Sequence, residues 1–226
     1  MIVEIDEPYA DPPRSTGPLT APGDAPILDL EDRWGAIDDA DLRGGIDVSA
    51  CERLEIRGST LTGVTFAADT ELQLDVAETA FVDCDLSALR FAKVTNSSFV
   101  GCKLQGTDFT SAVLRDVRVE RSVLRLSTVR MAELERVAFV DSTIEEVDGY
   151  EARLSHVAFP DSALRAVEFD KASFFRVDLR GATELDIRKC RRFDGCLITD
   201  DQVLALAYVL AQASGISIDR PELDDA

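Results

Sequence analysis

The sequence has one histidine and five cysteines, and these scarcities remove whole classes of chemistry. Nucleophilic catalysis needs an activated nucleophile with a general base in reach. His156, the one histidine, sits at a variable position in "ARLSHVAF" and reads as a solvated surface residue. The cysteines are odd in number, at unrelated spacings and without a Cys-x-x-Cys pair, so the expected setting is a reduced cytoplasm. Cys190 and Cys196 lack two further good ligands for zinc. There is no Gly-rich phosphate loop and no His-Glu-x-x-His. No enzyme activity, metal or cofactor is therefore expected. No run of eighteen apolar residues occurs, which argues against a membrane span. The opening "MIVEIDEPYADPPRSTGP" carries acids and prolines where a signal peptide would carry bases and an apolar run.

Basic residues are also few, 24 against 43 acids for a net charge of −19, and the excess acid is unevenly spread. Residues 1–45 hold eleven acids and three bases, and residues 199–226 hold six and one. The middle, 46–198, holds 26 acids and 20 bases, a net of −6. Direct nucleic-acid binding is disfavoured by this repulsion.

What is abundant is a period of five. From Phe99 to Leu179, stepping by five, sixteen of seventeen residues are apolar, and Gly149 is the exception. The residue two places earlier is small or β-branched throughout, from Ser97 and Cys102 to Val177. Five residues advance a helix by about 500°, so no stripe forms. On a strand an odd period alternates faces. A chain that turns a corner every five residues satisfies the pattern, with large and small residues both pointing inward.

The segments "TDFTS" (107–111), "CDLSA" (84–88), "VDLRG" (177–181) and "ADLRG" (40–44) resemble the pentapeptide repeat family. The resemblance covers roughly 41–197 and implies an all-β solenoid, a right-handed quadrilateral β-helix with twenty residues per coil. An earlier block runs on another frame through Leu61, Phe66, Val76, Phe81, Leu86 and Phe91. Glu71 breaks it, so 67–75 reads as irregular. Phe91 and Phe99 are eight apart, which places a frame change and a small bulge within 92–98. Cys51, Cys84 and Cys102 fall at inward positions, as buried structural thiols.

The flanks are different material. Residues 1–40, with six of the eight prolines between 8 and 26, read as an acidic, largely disordered arm. Within it, 27–39 holds the single tryptophan and could cover the first coil. Residues 198–226 form a C-terminal capping helix and tail. Thr199 and Gln202 make a capping box, Asp200 and Asp201 suit the first turn, and Gly215 suits the stop. Val203 to Ala213 carries no charge and is apolar all round, which calls for burial on every side. One side can close the solenoid. Val203, Leu204, Leu206, Ala207, Val209 and Leu210 are the expected homodimer interface.

The resemblance also implies a function, because some members of this family bind DNA gyrase or topoisomerase IV by resembling duplex DNA. A rod of 7–8 coils is about 36 Å long, and duplex DNA of that length carries about 21 charges. A solenoid at −6 is no uniform mimic. A one-sided mimic is consistent with the sums. Stacking every twenty residues gathers Asp108, Asp148, Glu151, Glu168 and Asp170 around one side, against Arg130 and Lys171. The next side leans basic, with Arg115, Arg136, Arg153 and Arg176. The same stacking sets Arg115 beside Glu135 and Asp116 beside Arg136. The expected role is non-enzymatic binding of gyrase or topoisomerase IV, modulating it or protecting it from quinolone-like poisons. The alternative is a protein-interaction scaffold with a different partner, its N-terminal arm acting as the recognition segment.

Overall fold

The computed structural model describes residues 28–29, 33–49, 51–67 and 72–218. The five-residue period is realised at the corners. From Asn96 to Arg176 every fifth residue is left-handed, with φ between 47° and 67°. Such a residue reverses the local twist and swings the next strand through a right angle. Left-handed backbone costs an L-residue about 1–2 kcal/mol, so the inward burial that follows each corner must outweigh it. Corner side chains point to solvent, which is why charge collects there.

The strands pair in parallel, one coil to the next. Leu114 pairs with Leu134 and Leu134 with Leu154, and Leu124 pairs with Ile144, always twenty residues on. The result is a right-handed quadrilateral β-helix with four sides. The first side is centred on the buried column Phe81, Phe99, Val119, Phe139, Phe159 and Leu179, preceded by Leu42 and Leu61. The second is centred on Leu86, Leu104, Leu124, Ile144 and Leu164. The third holds Phe91, Phe109, Val129, Gly149 and Phe169. The fourth holds Ile37, Ile56, Val76, Val94, Leu114, Leu134, Leu154 and Phe174.

The small inward residues have a hydrogen-bonding role. Ser142 Oγ accepts from the Ser122 N–H at 3.1 Å and donates to the Val140 carbonyl at 2.8 Å. Ser162 repeats the contact onto the Ser142 N–H at 3.0 Å, and Ser122 onto the Cys102 N–H at 2.9 Å. Backbone donors that face the core at these corners are satisfied this way, and unsatisfied buried donors would each cost about 1–3 kcal/mol. Cys51, Cys84 and Cys102 lie at inward positions and are buried, as their spacing predicts.

The irregularities are small. Phe91 and Val94 are three apart where later coils take five, and the register shifts at Ala92. The frame change expected within 92–98 is this shortened corner. Of the segment 67–75, residues 68–71 lie outside the described ones, while Gln73–Ala77 is a regular strand. At the N-terminus the coils reach back further than position 41: Trp34–Asp38 is a strand paired with Arg53–Arg57, and Leu28–Asp29 pairs with Ile46 and Asp47. Residues 1–27, most of the expected arm, lie outside the described residues.

The C-terminal helix is two short ones, α1 (Asp200–Ala205) and α2 (Ala207–Ala213). Leu206, with φ −92° and ψ 0°, breaks the run, although no glycine or proline marks it. Gln202, Leu206 and Val209, spaced i, i+4 and i+7, share the helical face turned onto the end of the solenoid, where all three are buried. The capping box forms as expected: Thr199 accepts from the Gln202 N–H, and the Gln202 side chain accepts from the Thr199 N–H at 3.0 Å. Gln202 Nε2 donates to the Leu179 carbonyl at 2.7 Å, tying the cap to the last coil. Gly215, at φ 77°, ends α2, with the Ile216 N–H bonded back to Ala211 at 2.9 Å.

Candidate partner-binding faces

The five acids expected on one side do share one side, the third. Asp108, Thr128, Asp148 and Glu168 bridge in sequence along a single column. Asp170 flanks that column, and Glu151 occupies a corner beside it at φ 56°. Their charge is not free. Arg130 pairs with Asp148 at 2.6 Å, Lys171 with Glu151 at 3.5 Å and Arg90 with Asp108 at 3.7 Å. Lys189 pairs with Glu168 at 2.9 Å and Arg191 with Asp170 at 2.6 Å. Arg90, Lys189 and Arg191 come from the coils on either side and were absent from the sequence count. With them, the third side carries as much base as acid. Tyr150 joins two of these cations: Arg130 lies 4.5 Å from its ring centre, and Lys171 Nζ donates to its hydroxyl at 2.5 Å.

The fourth side is neutralised in the same manner. Arg115 meets Glu135 at 2.6 Å and Arg136 meets Asp116 at 2.6 Å, each pair spanning adjacent coils as twenty-residue stacking predicts. Arg153 meets Glu133 at 2.5 Å. The guanidinium of Arg136 holds the Asp116 carboxyl below its usual range, and hydrogen bonds from Arg136 and Arg115 do the same for Glu135. Arg176 instead lies 5.5 Å over the Phe175 ring. Exposed pairs of this kind are worth about 0–1 kcal/mol each, so their main effect is to cancel the field.

Free negative charge lies elsewhere. Asp39, Glu78, Asp83, Asp141, Glu146 and Asp161 are exposed corner residues that make no ion pair among the described residues. They line the rod's edges, and Asp38 and Asp41, exposed on the strands either side of Asp39, also make no ion pair among the described residues. Asp39, Glu78 and Asp83 belong to the N-terminal coils, within residues 1–90, which hold twenty acids and six bases.

The helical cap divides the six residues expected at a dimer interface. Leu206 and Val209 are buried against the last coil and Leu210 is half-buried with them. Val203, Leu204 and Ala207 face solvent, and with them Tyr208, Ile216 and Ile218. Burial on every side, expected from the uncharged run, holds for one face within the chain.

Reactive chemistry has little to work with. Burial pushes the Cys190 thiol up to about 11 and the Cys196 thiol up to about 12, which keeps both protonated and unreactive at neutral pH. His156 sits at a corner, its Nδ1 2.9 Å from Ser155 Oγ and its ring 5.4 Å from that of Phe175. Among the described residues no three histidine, cysteine or acidic side chains gather as metal ligands, and no helix is long and apolar enough to cross a membrane.

Residues 74–148 match the family model described as a pentapeptide repeat region. No curated protein matches the sequence. Among solved structures, a trypsin-treated variant of QnrB1, a plasmid-mediated fluoroquinolone resistance protein, is 18% identical, with a TM-score of 0.32 over 82% of this chain and 99% of its own. Rfr23, a pentapeptide repeat protein from the cyanobacterium Cyanothece 51142, is 13% identical, with a TM-score of 0.33 over 57% of this chain and 90% of its own. HetL from Nostoc sp. strain PCC 7120, a pentapeptide repeat protein involved in heterocyst differentiation regulation, is 12% identical, with a TM-score of 0.26 over 73% and 90%. Residues 74–148 are a pentapeptide repeat region.

Proposed function

We propose that this protein is a non-enzymatic binding protein of the reduced cytoplasm, acting on DNA gyrase or topoisomerase IV as a partial DNA mimic. The observation that carries the reading is the separation of paired from unpaired charge along the solenoid. A carboxylate with a guanidinium at 2.6 Å offers an approaching basic groove a dipole, whereas an unpaired corner carboxylate offers its full charge. Opposite-charge steering acts through such net fields. The contact therefore moves from Asp108, Asp148, Glu151, Glu168 and Asp170 to the edges of the N-terminal coils, at Asp39, Glu78 and Asp83. A supercoiling assay, run with and without a fluoroquinolone, tests it. Stoichiometric protein should inhibit supercoiling or protect the enzyme. Neutralising Asp39, Glu78 and Asp83 together should weaken the effect about tenfold, and neutralising Asp148, Glu168 and Asp170 should change it little. No inhibition and no protection at excess would overturn the target.

The same reading includes a homodimer made end to end through the solvent face of α1 and α2. Leu204 is 79% exposed, and such a residue beside Val203, Tyr208 and Ile216 supports a contact with a second copy. Light scattering at micromolar concentration should give twice the chain mass for the native protein and the chain mass for Leu204→Asp. A native monomer would rule the contact out.

A further inference from the structure

The two ends of the solenoid are finished differently. At the C-terminal end the helical cap lies on the last coil, with Gln202 Nε2 donating to the Leu179 carbonyl. At the N-terminal end no such cover occurs among the described residues. The strand Trp34–Asp38 pairs with Arg53–Arg57 along one edge, and no described strand pairs with its other edge. Past the corner at Asp39, the strand Asp41–Asp47 meets Leu28–Asp29 only at Ile46 and Asp47. An unpaired edge presents backbone donors and acceptors to any extended chain.

We propose that the open edge of Trp34–Asp38 takes an extended, basic segment of a partner protein as one further strand of the parallel stack. In such additions main-chain bonds supply affinity and alternate side chains supply specificity. Charge selects the occupant. Residues 28–47 hold seven acids and two bases, and Asp38 and Asp41 are exposed without an ion pair among the described residues. Arg57, opposite Asp38 in the next coil, is engaged by Glu55. A second copy docked end to end would set these acids against their own kind. Residues 1–27 of this chain hold five acids and one base and suit the edge no better. A segment rich in arginine or lysine meets an opposite field.

The stacking of the solenoid gives the segment its pattern. Trp34, Ala36 and Asp38 are exposed, while Ile37 is buried and Gly35 half-buried. Each residue stacks on its counterpart one coil away, as Trp34 does with Arg53, whose guanidinium lies 5.8 Å from the indole ring centre. Trp34 is still 72% exposed, which leaves ring surface for a second cation. An arginine beside Trp34, an apolar residue beside Ile37 and a lysine beside Asp38 continue the same columns. Arg-Val-Thr-Val-Lys meets all three demands. The edge adjoins the corner carboxylate Asp39, so the inference rests on the N-terminal coils being the partner-binding end, and not on gyrase as the target.

A fluorescein-labelled Arg-Val-Thr-Val-Lys peptide, read by anisotropy against the full-length chain, tests the site. It should bind saturably. Asp38→Asn with Asp41→Asn, Trp34→Ala, and N-methylation of the peptide's three central amides should each weaken binding at least about tenfold. The methylated peptide keeps its charge and loses its donors. Neutralising Asp141 and Asp161, about five coils or ~24 Å away and beyond the screening length at about 0.1 M salt, should leave binding unchanged. A native circular dichroism spectrum establishes that each variant is folded, and the exposed Asp38 and Asp41 keep the test readable should Trp34→Ala disturb the coil. Hydrogen exchange locates the contact: the amides of 34–38 that do not bond to Arg53–Arg57 should slow about tenfold with peptide. No saturable binding, undiminished binding of the methylated peptide, or equal losses from the two aspartate pairs overturns the proposal. So does protection of those amides in the free chain, which makes residues 1–27 the occupant if independent of concentration and a second copy if it rises with it. Peptide binding beside a negative supercoiling assay upholds this site and removes gyrase as its target.

Discussion

Replacing Phe99 by alanine is expected to remove about 3–5 kcal/mol of stability, more than any other single truncation along the first side. Its ring stacks on Phe81 at 5.1 Å and meets Phe91 edge-on at 5.9 Å, and Phe91 in turn stacks on Phe109 at 5.0 Å. All three partners are buried. The cluster sits where the coil is shortened between Phe91 and Val94, so it spans the change of frame. Backbone pairing is shifted there, and side-chain packing carries more of the join. Stacked coils interact with their neighbours alone, so a weakened join also divides the rod into two cooperative units. Urea unfolding followed by circular dichroism should show a lower midpoint and a split transition. Phe139→Ala, whose ring stacks on Phe159 at 5.3 Å, should cost less and leave one transition. A Phe99→Ala loss below about 1 kcal/mol, far under the range for buried aromatics, would refute the role of the cluster.

The same shortened coil explains what could and could not be read from the residues. The comb from Phe99 to Leu179 was legible because inward burial and the corner conformation both recur every five residues. Stacking at a fixed interval of twenty then placed Arg115 on Glu135 and Asp116 on Arg136 correctly. It failed for the third side, where the neighbouring coils are not twenty residues long. Twenty before Asp108 is Ala88, but its basic partner is Arg90; twenty after Glu168 and Asp170 are Arg188 and Cys190, but the partners are Lys189 and Arg191. The basic partners sit one or two residues off the twenty-residue interval. The break at Leu206 had no local signal either.

Gly149 gives the sharpest contrast between pattern and packing. Changing it to leucine completes the seventeen-residue comb and removes a flexible glycine, a change worth about 0.4–1 kcal/mol where the site can accept it. The backbone there is not left-handed, so conformation raises no objection. Space does. A Cβ at 149 would lie 2.6 Å and 2.8 Å from two ring carbons of Phe169 and 3.2 Å from the Glu168 carbonyl oxygen. Phe169 belongs to the next coil, is buried, and meets Phe174 edge-on at 5.5 Å, so its ring has little freedom to withdraw. The glycine is the cavity into which that ring packs. Gly149→Leu is therefore expected to destabilise by about 3 kcal/mol, the upper part of the range for overpacking, and Gly149→Ala by less. Removing the ring should relieve the clash. In a double-mutant cycle, Gly149→Leu with Phe169→Ala should show a favourable coupling of at least about 1 kcal/mol. A Gly149→Leu protein that unfolds at or above the native midpoint would mean that the coil shifts to admit the side chain, and that repeat periodicity outranks the packing seen here.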